Sequence, residues 1–208
     1  AGASKAALEV VGDVVAEYLK HGEGRKFICS GVDTAHVEEM QRPCLASGIN
    51  AAPYTYKDAE EDRADTVAEF RKPDSAIRGL ITVTAASRGF DVADVSCIIM
   101  ARPLRKSLAE HIQLFGRGLR ISPETGKQDC LVLCHSGNMA RFWCDTEEFF
   151  DFGIEGLDDG KAKKKKEEKK KEAEAVKCPQ CRALHKPAPF CPQCGHEYPK
   201  RQTVQHVP

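Results

Sequence analysis

The sequence predicts an α/β domain with a mainly parallel sheet flanked by helices, followed by a small cysteine-rich module. Short apolar runs alternate with amphipathic stretches over residues 1–152. Those runs are continuous instead of alternating in and out, as expected of strands buried on both faces. Residues 178–208 carry two C-x-x-C pairs and too few apolar side chains to fold without a staple.

The elements follow in order. "SKAALEVVGDVVAEYLK" spaces Leu8, Val11, Val14, Val15 and Leu19 at helical intervals. "RKFICSG" is a buried strand ending in a turn. "DTAHVEEMQRPCLASG" starts on a capping aspartate and ends at Gly48, a helix with a break expected near Pro43. "INAAPY" is a second strand. "DAEEDRADTVAEFRK" places Asp58 and Glu61 at capping-box spacing, which predicts another helix. "AIRGLITVT" and "VSCIIMARP" are the third and fourth strands, the latter stopped by Pro103. Ser107 and Glu110 cap the helix that contains "HIQLFGRGLR", and "KQDCLVLCHSG" is the fifth strand.

The 208 residues suffice for one sizeable core plus an appendage, divided as 1–152, a Lys/Glu-rich linker over 153–177, and 178–208. Lysine plus arginine equals aspartate plus glutamate at 31 each, so only local patches can speak for or against nucleic acid. No run of eighteen apolar residues exists to span a membrane, and "AGASKAALEV" contains no secretory signal. That opening lacks an initiator Met and reads as a fragment of a longer cytoplasmic protein. "KAKKKKEEKKKEAEAVK" cannot form a core; it is a solvated tract that is also able to touch phosphates.

Ten cysteines without an export signal indicate packing or metal ligation in preference to disulfides. Cys29, Cys44, Cys97, Cys130, Cys134 and Cys144 are scattered singly and read as small core residues. Cys178, Cys181, Cys191 and Cys194 form "CPQC" twice, nine residues apart, the spacing of a four-thiolate structural zinc site, with a disulfide pair or a redox motif as the alternatives. Gly195 supplies the positive φ needed after the second turn. His185 and His196 are expected to be surface residues, since four cysteines close the site.

On a helical wheel Leu108, Ile112, Phe115 and Leu119 form one stripe, expected to be the core face. Gln113, Arg117 and Arg120 share a second face. Gly116 and Gly118 predict a turn around Arg117 that is distorted or closely approached. Two guanidinium forks and an amide on one face suit a polyanion; a solvated face with a local salt bridge is the alternative. In open α/β sheets ligands bind at the carboxyl ends of the strands. "CSGVDT", "TAASRGFD" and "ARPLRKS" follow strands, which predicts one edge rich in arginines, glycines and hydroxyls. Arg88, Gly89, Asp91, Arg102, Arg105 and Lys106 belong to these stretches.

In this order "RKFICSG", "DSAIRGLITVTAASRGFDVADV" and "CIIMARPLRKSLAEHIQLFGRGLR" resemble motifs IV, V and VI of superfamily-2 helicases, over roughly residues 4–143. Gln113, Gly116, Arg117 and Arg120 carry the Q-x-x-G-R-x-x-R pattern; Arg88 to Asp91 carry R-G-F-D. "ARP" followed by "KS", and "LCHSGN", are closest to the restriction-helicase branch, and the linker with its terminal cysteines resembles RadD-like DNA-repair helicases. Val83 stands where the family has Thr, with Thr84 one position on, and Cys134 where the branch often has Asp.

The resemblance implies a RecA-like second lobe carrying a zinc ribbon. Arg117 and Arg120 would act as arginine fingers on ATP bound with Mg²⁺ between two lobes. Gly89, Asp91 and Gln113 would line the nucleotide, and Ser30, Gly31, Thr84 and Arg102 would face a DNA strand. No G-x-x-x-x-G-K-[ST] loop and no Asp-Glu dipeptide occur, so this chain without its N-terminal partner lobe is expected not to hydrolyse ATP. The competing expectation is a non-enzymatic nucleic-acid clamp built from sheet edge and zinc ribbon.

Overall fold

The computed structural model describes residues 14–83, 91–104, 107–152 and 175–199. Thr84, Arg88, Gly89, Arg105 and Lys106 lie outside these residues, as do most of the lysine-rich tract and the tail. The chain divides into two compact units, 1–138 and 139–208.

The first unit is built on five parallel strands: β1 (Phe27–Ser30), β2 (Ala51–Tyr54), β3 (Gly79–Thr82), β4 (Cys97–Met100) and β5 (Leu131–Cys134). Their order is β2-β3-β1-β4-β5. Phe27 is level with Gly79 and Cys97, and Ser30 with Thr82 and Met100, so the carboxyl ends of the three central strands form one straight edge. These strands are buried throughout, as their unbroken apolar runs require. A Cβ on Gly79 would lie 2.0 Å from Cζ of Phe27, so the close approach of that ring depends on glycine.

Helices flank the sheet: α1 (14–21), α2 (Thr34–Ala46), α3 (Glu60–Arg71) and α4 (Leu108–Gly118). Alternate strand residues face opposite sides. Phe27, Cys29, Ile81, Cys97 and Ile99 pack with Val14, Val15 and Tyr18 of α1 and Val37, Met40 and Cys44 of α2. Fully burying a side chain such as Val37 or Met40 contributes about 1.5–3 kcal/mol. Ile98, on the other side, meets Gly118 of α4. Burial raises the thiols of Cys44, to about 11, and Cys97, to about 12. Both, like buried Cys29, are inert packing residues.

Several local expectations change. Helix α2 does not break at Pro43, which falls in its last turn. Only one helical bond is forfeited there, Ser47 N–H still reaches Pro43 O at 3.1 Å, and buried Met40 and Cys44 hold the helix to the core. Asp58 does not cap α3; its carboxylate accepts from Thr55 N–H at 2.7 Å and Thr55 Oγ1–H at 3.0 Å, closing the preceding turn. Ser107 does cap α4, accepting from Glu110 N–H at 3.2 Å.

The expected core stripe of α4 is displaced. Leu119 is 45 % exposed, whereas His111, Leu114 and Gly118 are buried. Packing distance decides this orientation. A Cβ on Gly118 would lie 2.3 Å from Cys130 Sγ and 2.7 Å from Ile98 Cγ1, so the helix turns its glycine to the sheet to come this close. The helix runs undistorted past Arg117, and Gly116 faces open space.

Lys26, just before β1, is 5 % exposed. Its ammonium donates to Phe70 O (2.8 Å) and Lys72 O (2.7 Å) and pairs with Asp94 at 2.6 Å, fastening the end of α3 to the loop before β4. In the second unit, α5 (Asn138–Phe152) begins at the division, and β6 (Val176–Lys177) pairs antiparallel with β7 (Leu184–His185). Among the described residues, no helix is long and apolar enough to cross a membrane.

Candidate functional site

Among the described residues, those singled out in the sequence fall into three groups. The first lies at the carboxyl ends of the strands. Ser30 ends β1, buried, its hydroxyl donating to Ile99 O at 3.4 Å. Gly31 donates its amide to Thr82 O at 2.7 Å. A Cβ on Gly31 would sit 2.8 Å from Met40 Cε, so the turn hugs α2.

Arg102 follows β4 and is gripped from two sides. Its guanidinium donates to Val83 O at 3.0 Å and lies 3.7 Å from the Glu110 carboxylate. Val83 thus serves through its backbone, whatever its side chain. The sequence reading missed Asn138, which is 1 % exposed. Its Nδ2 donates to Arg102 O at 2.9 Å, and its Oδ1 accepts from Leu104 N–H at 2.8 Å, so one amide sets the loop that presents Arg102. An Asx side chain at a strand–helix junction was the available signal.

The second group sits near the amino ends of the strands, away from the expected edge. Asp91, between β3 and β4, belongs to it, because its partners stand at the ends of α3 and α4. Asp91 pairs with Arg120, just past the end of α4. Arg71 Nε donates to Asp91 O at 2.9 Å. Lys127 ties the same two segments together, donating to Ala93 O at 3.0 Å and Arg120 O at 2.8 Å.

Arg117 lies one turn before Arg120, and exposed Gln113 one turn before Arg117. Burial lowers the pKa of the Arg117 guanidinium, as does its like-charged neighbour Arg120, while Asp91 acts in the opposite sense. Two guanidinium groups thus stand within electrostatic reach of the Asp91 carboxylate at the negative end of a helix dipole. Paired guanidinium forks on one face suit a phosphate chain.

The third group is in the second unit. The sulfurs of Cys178, Cys181, Cys191 and Cys194 all lie within 4.8 Å of one another. Cys178 and Cys194 are 3.6 Å apart, and Cys181 and Cys191 3.7 Å. Thiolates at about 2.3 Å from a tetrahedral ion stand about 3.8 Å apart, so the cluster can hold a single metal ion such as zinc. Each C-x-x-C turn is followed by a positive φ, +62° at Arg182 and +73° at Gly195. The two turns match otherwise: Arg182 N–H reaches Cys178 O and Gly195 N–H reaches Cys191 O, both at 2.9 Å. His185 is not a surface residue. It is 7 % exposed, with Nδ1 2.7 Å from Lys186 O and Nε2 2.9 Å from Tyr198 Oη. Because a carbonyl only accepts, Nδ1 carries a proton, while the Tyr198 hydroxyl lies between Nε2 and the Cys178 sulfur.

His111 packs edge-on to Phe115 on the buried face of α4, and burial lowers its pKa to about 4. An unfolded histidine titrates near 6.5. The folded state therefore favours the neutral ring. The associated stability is complete above about pH 6.5 and is lost as pH falls towards 4. We expect chemical denaturation to show up to about 2 kcal/mol less stability at pH 5 than at pH 7 from this residue. In His111→Phe the pH dependence should be flatter by that amount. An unchanged profile in the variant would exclude His111 as its source.

Comparisons with known proteins bear on the family and the fold. Residues 9–122 match the family described as helicase conserved C-terminal domain. A 51.5 kDa protein of Lactococcus phage (isolate 7-9) is 28 % identical over 192 residues, covering 91 % of this chain and 40 % of its own length. The Saccharomyces cerevisiae protein named putative ATP-dependent helicase IRC3 is 28 % identical over 127 residues, 59 % of this chain and 18 % of the yeast protein. The chain thus spans less than half the length of either relative.

Among solved structures, a fragment from Vibrio vulnificus YJ016 described as an HsdR subunit of a type I restriction enzyme superposes with a TM-score of 0.60 at 22 % identity. It covers 73 % of this chain and 30 % of that one. The E. coli DEAD-box protein SrmB, solved with RraA, gives 0.51 at 20 % identity over 61 % of this chain and 70 % of that one. Both share the fold.

Proposed function

The chain belongs to the helicase conserved C-terminal domain family, and we propose that it is the second motor lobe of an ATP-driven helicase or translocase acting on DNA. The observation that carries this reading is the face of α4 that aligns Gln113, Arg117 and Arg120, with Asp91 paired to Arg120. Two guanidinium forks on one face, in a sequence without a phosphate loop, suit one half of a nucleotide site. The other half, with its phosphate loop and Mg²⁺-holding carboxylates, would come from an N-terminal RecA-like lobe.

In this reading Arg117 and Arg120 are the arginine fingers. Asp91 and Gln113, with Gly89, contact the nucleotide. Asp91 also holds Arg120 until a phosphate competes for it. Gly31 and Arg102, with Ser30 and Thr84, face the nucleic-acid strand at the opposite end of the sheet. That separation supports a motor: ATP and strand occupy different ends of one rigid sheet, so closing on one can reposition the other. Zinc on the four thiolates would hold residues 178–199 as a ribbon, separated from the motor lobe, over 1–152, by the charged linker.

The proposed strand edge is tested by titrating single-stranded and duplex DNA against the chain by fluorescence anisotropy at several salt concentrations. Phosphate contacts release counterions, so affinity should fall steeply with salt, by about tenfold or more from 50 to 200 mM if a few phosphates are neutralised. Salt-independent binding, or none at low salt, would contradict the reading. Binding by a full-length protein that never turns over ATP would instead favour a non-enzymatic clamp.

A further inference from the structure

We propose that Tyr56 is a stacking platform for an unpaired base of single-stranded nucleic acid, a site that rests on reading the carboxyl edge of the sheet as strand-facing. Tyr56 is 74 % exposed, more than Phe190 (56 %) or Phe150 (49 %). It stands at the tip of a turn that is internally fixed. Asp58 accepts from both the N–H and the hydroxyl of buried Thr55, at 2.7 and 3.0 Å, and Lys57 N–H donates to Thr55 Oγ1 at 3.3 Å. With the turn's backbone fixed, a stacking base has only the two side-chain torsions of Tyr56 left to order.

Its place in the fold selects the ligand. Tyr54, the last residue of β2, is level with Thr82, and Thr82 with Ser30. Tyr56 therefore stands at the same edge as Gly31 and Arg102, in the turn after a strand about 10 Å from β1 at the usual strand spacing. That is the scale of one or two nucleotide steps. The nearby charges set the polarity of the contact. Asp58 is turned into its own loop, and Asp33 caps α2 at His36 N–H. Glu60, Glu61 and Asp62, in the first turn of α3, stay exposed and repel phosphate on the β2 side. A base is uncharged and every base offers a π-face. The backbone thus runs past Gly31 and Arg102, with a base turned towards Tyr56. A duplex, whose bases are already stacked, cannot make this contact.

The experiment compares this chain with Tyr56→Ala, Tyr56→Phe, Tyr56→Trp and Arg102→Ala. Each is titrated at one low salt concentration with a labelled oligothymidylate and with an abasic strand of equal length. Tyr56→Ala should weaken oligothymidylate binding about five- to a hundredfold, the range for loss of one base–aromatic stack. Tyr56→Phe and Tyr56→Trp should keep wild-type affinity. None of the three should alter affinity for the abasic strand, whereas Arg102→Ala should weaken both strands. Thermal melts serve as the folding control. Equal oligothymidylate affinity in Tyr56→Ala and wild type overturns the proposal while leaving the strand edge intact, provided Arg102→Ala is weakened. Equal loss on both strands also overturns it, because a base is then not the ligand. If the wild type binds neither strand, the strand edge fails together with Tyr56.

Discussion

Arg117→Ala or Arg120→Ala, made in the intact two-lobe protein, should lower DNA-stimulated ATP turnover by about 10³–10⁵, the worth of an arginine that stabilises a transferring phosphoryl group. The fold should barely notice. Arg120 and Asp91 form a solvent-reached pair, and neither arginine lies on the buried His111–Leu114–Gly118 face. Exposed pairs contribute about 0–1 kcal/mol. Melting temperature should therefore shift by only a few degrees, and DNA affinity without nucleotide should be nearly unchanged, since Arg102 and Gly31 occupy the other end of the sheet. Arg120→Lys should not restore turnover, because an ammonium cannot reproduce the planar fork. Steady-state ATPase at saturating DNA, with melts alongside, decides the matter. Two variants that melt and hydrolyse like wild type would make this face a solvated helix surface with a local ion pair.

Cys191→Ser should abolish stoichiometric zinc binding and unfold the terminal module. Cys191 is 1 % exposed and lies 3.7 Å from the Cys181 sulfur. Few apolar side chains are buried between residues 175 and 199 apart from the cysteines themselves, so the proposed zinc would supply the folding energy. Structural zinc in small finger peptides is worth about 10–16 kcal/mol near neutral pH. Three remaining thiolates would leave zinc open to a mild chelator. Elemental analysis after dialysis should give one zinc per wild-type chain and far less for the variant. The aromatic signal of Tyr198, which packs 5.6 Å from His185 and 5.3 Å from His196, should collapse in parallel. Equal zinc in both proteins would remove Cys191 from the ligand set.

The strands were legible because burial on both faces leaves an unmistakable mark: "FICS", "GLIT" and "CIIM" are apolar almost throughout. Local chemistry was legible where one side chain has one nearby partner, as with Asp33 on α2, Ser107 on α4 and the positive φ of Gly195. Long-range geometry was not. A helical wheel finds the most apolar stripe, yet α4 buries the side that admits the closest approach, and Gly118 sets that distance against Ile98 and Cys130. The wheel has no knowledge of the partner surface. The same blindness placed Asp91 with the carboxyl-end loops, when its partners are Arg71 at the end of α3 and Arg120 past the end of α4. Asn138 and Lys127 escaped notice because their importance lies in which backbone groups they bridge. Helix α5, "NMARFWCDTEEFFDF", mixes aromatic and acidic residues across the domain boundary and gave no separate helical signal. The four-cysteine cluster was the clearest site of all, since ligand spacing along the chain is itself the geometry.

Whether this chain contributes one half of an ATP site is decided by measuring ATP hydrolysis, with and without single-stranded DNA, for this chain alone and for the intact protein. The chain alone should show no turnover above background, and the intact protein should show DNA-stimulated turnover. Turnover by the isolated chain, or an intact protein inert to ATP in the presence of DNA, would contradict the half-site reading.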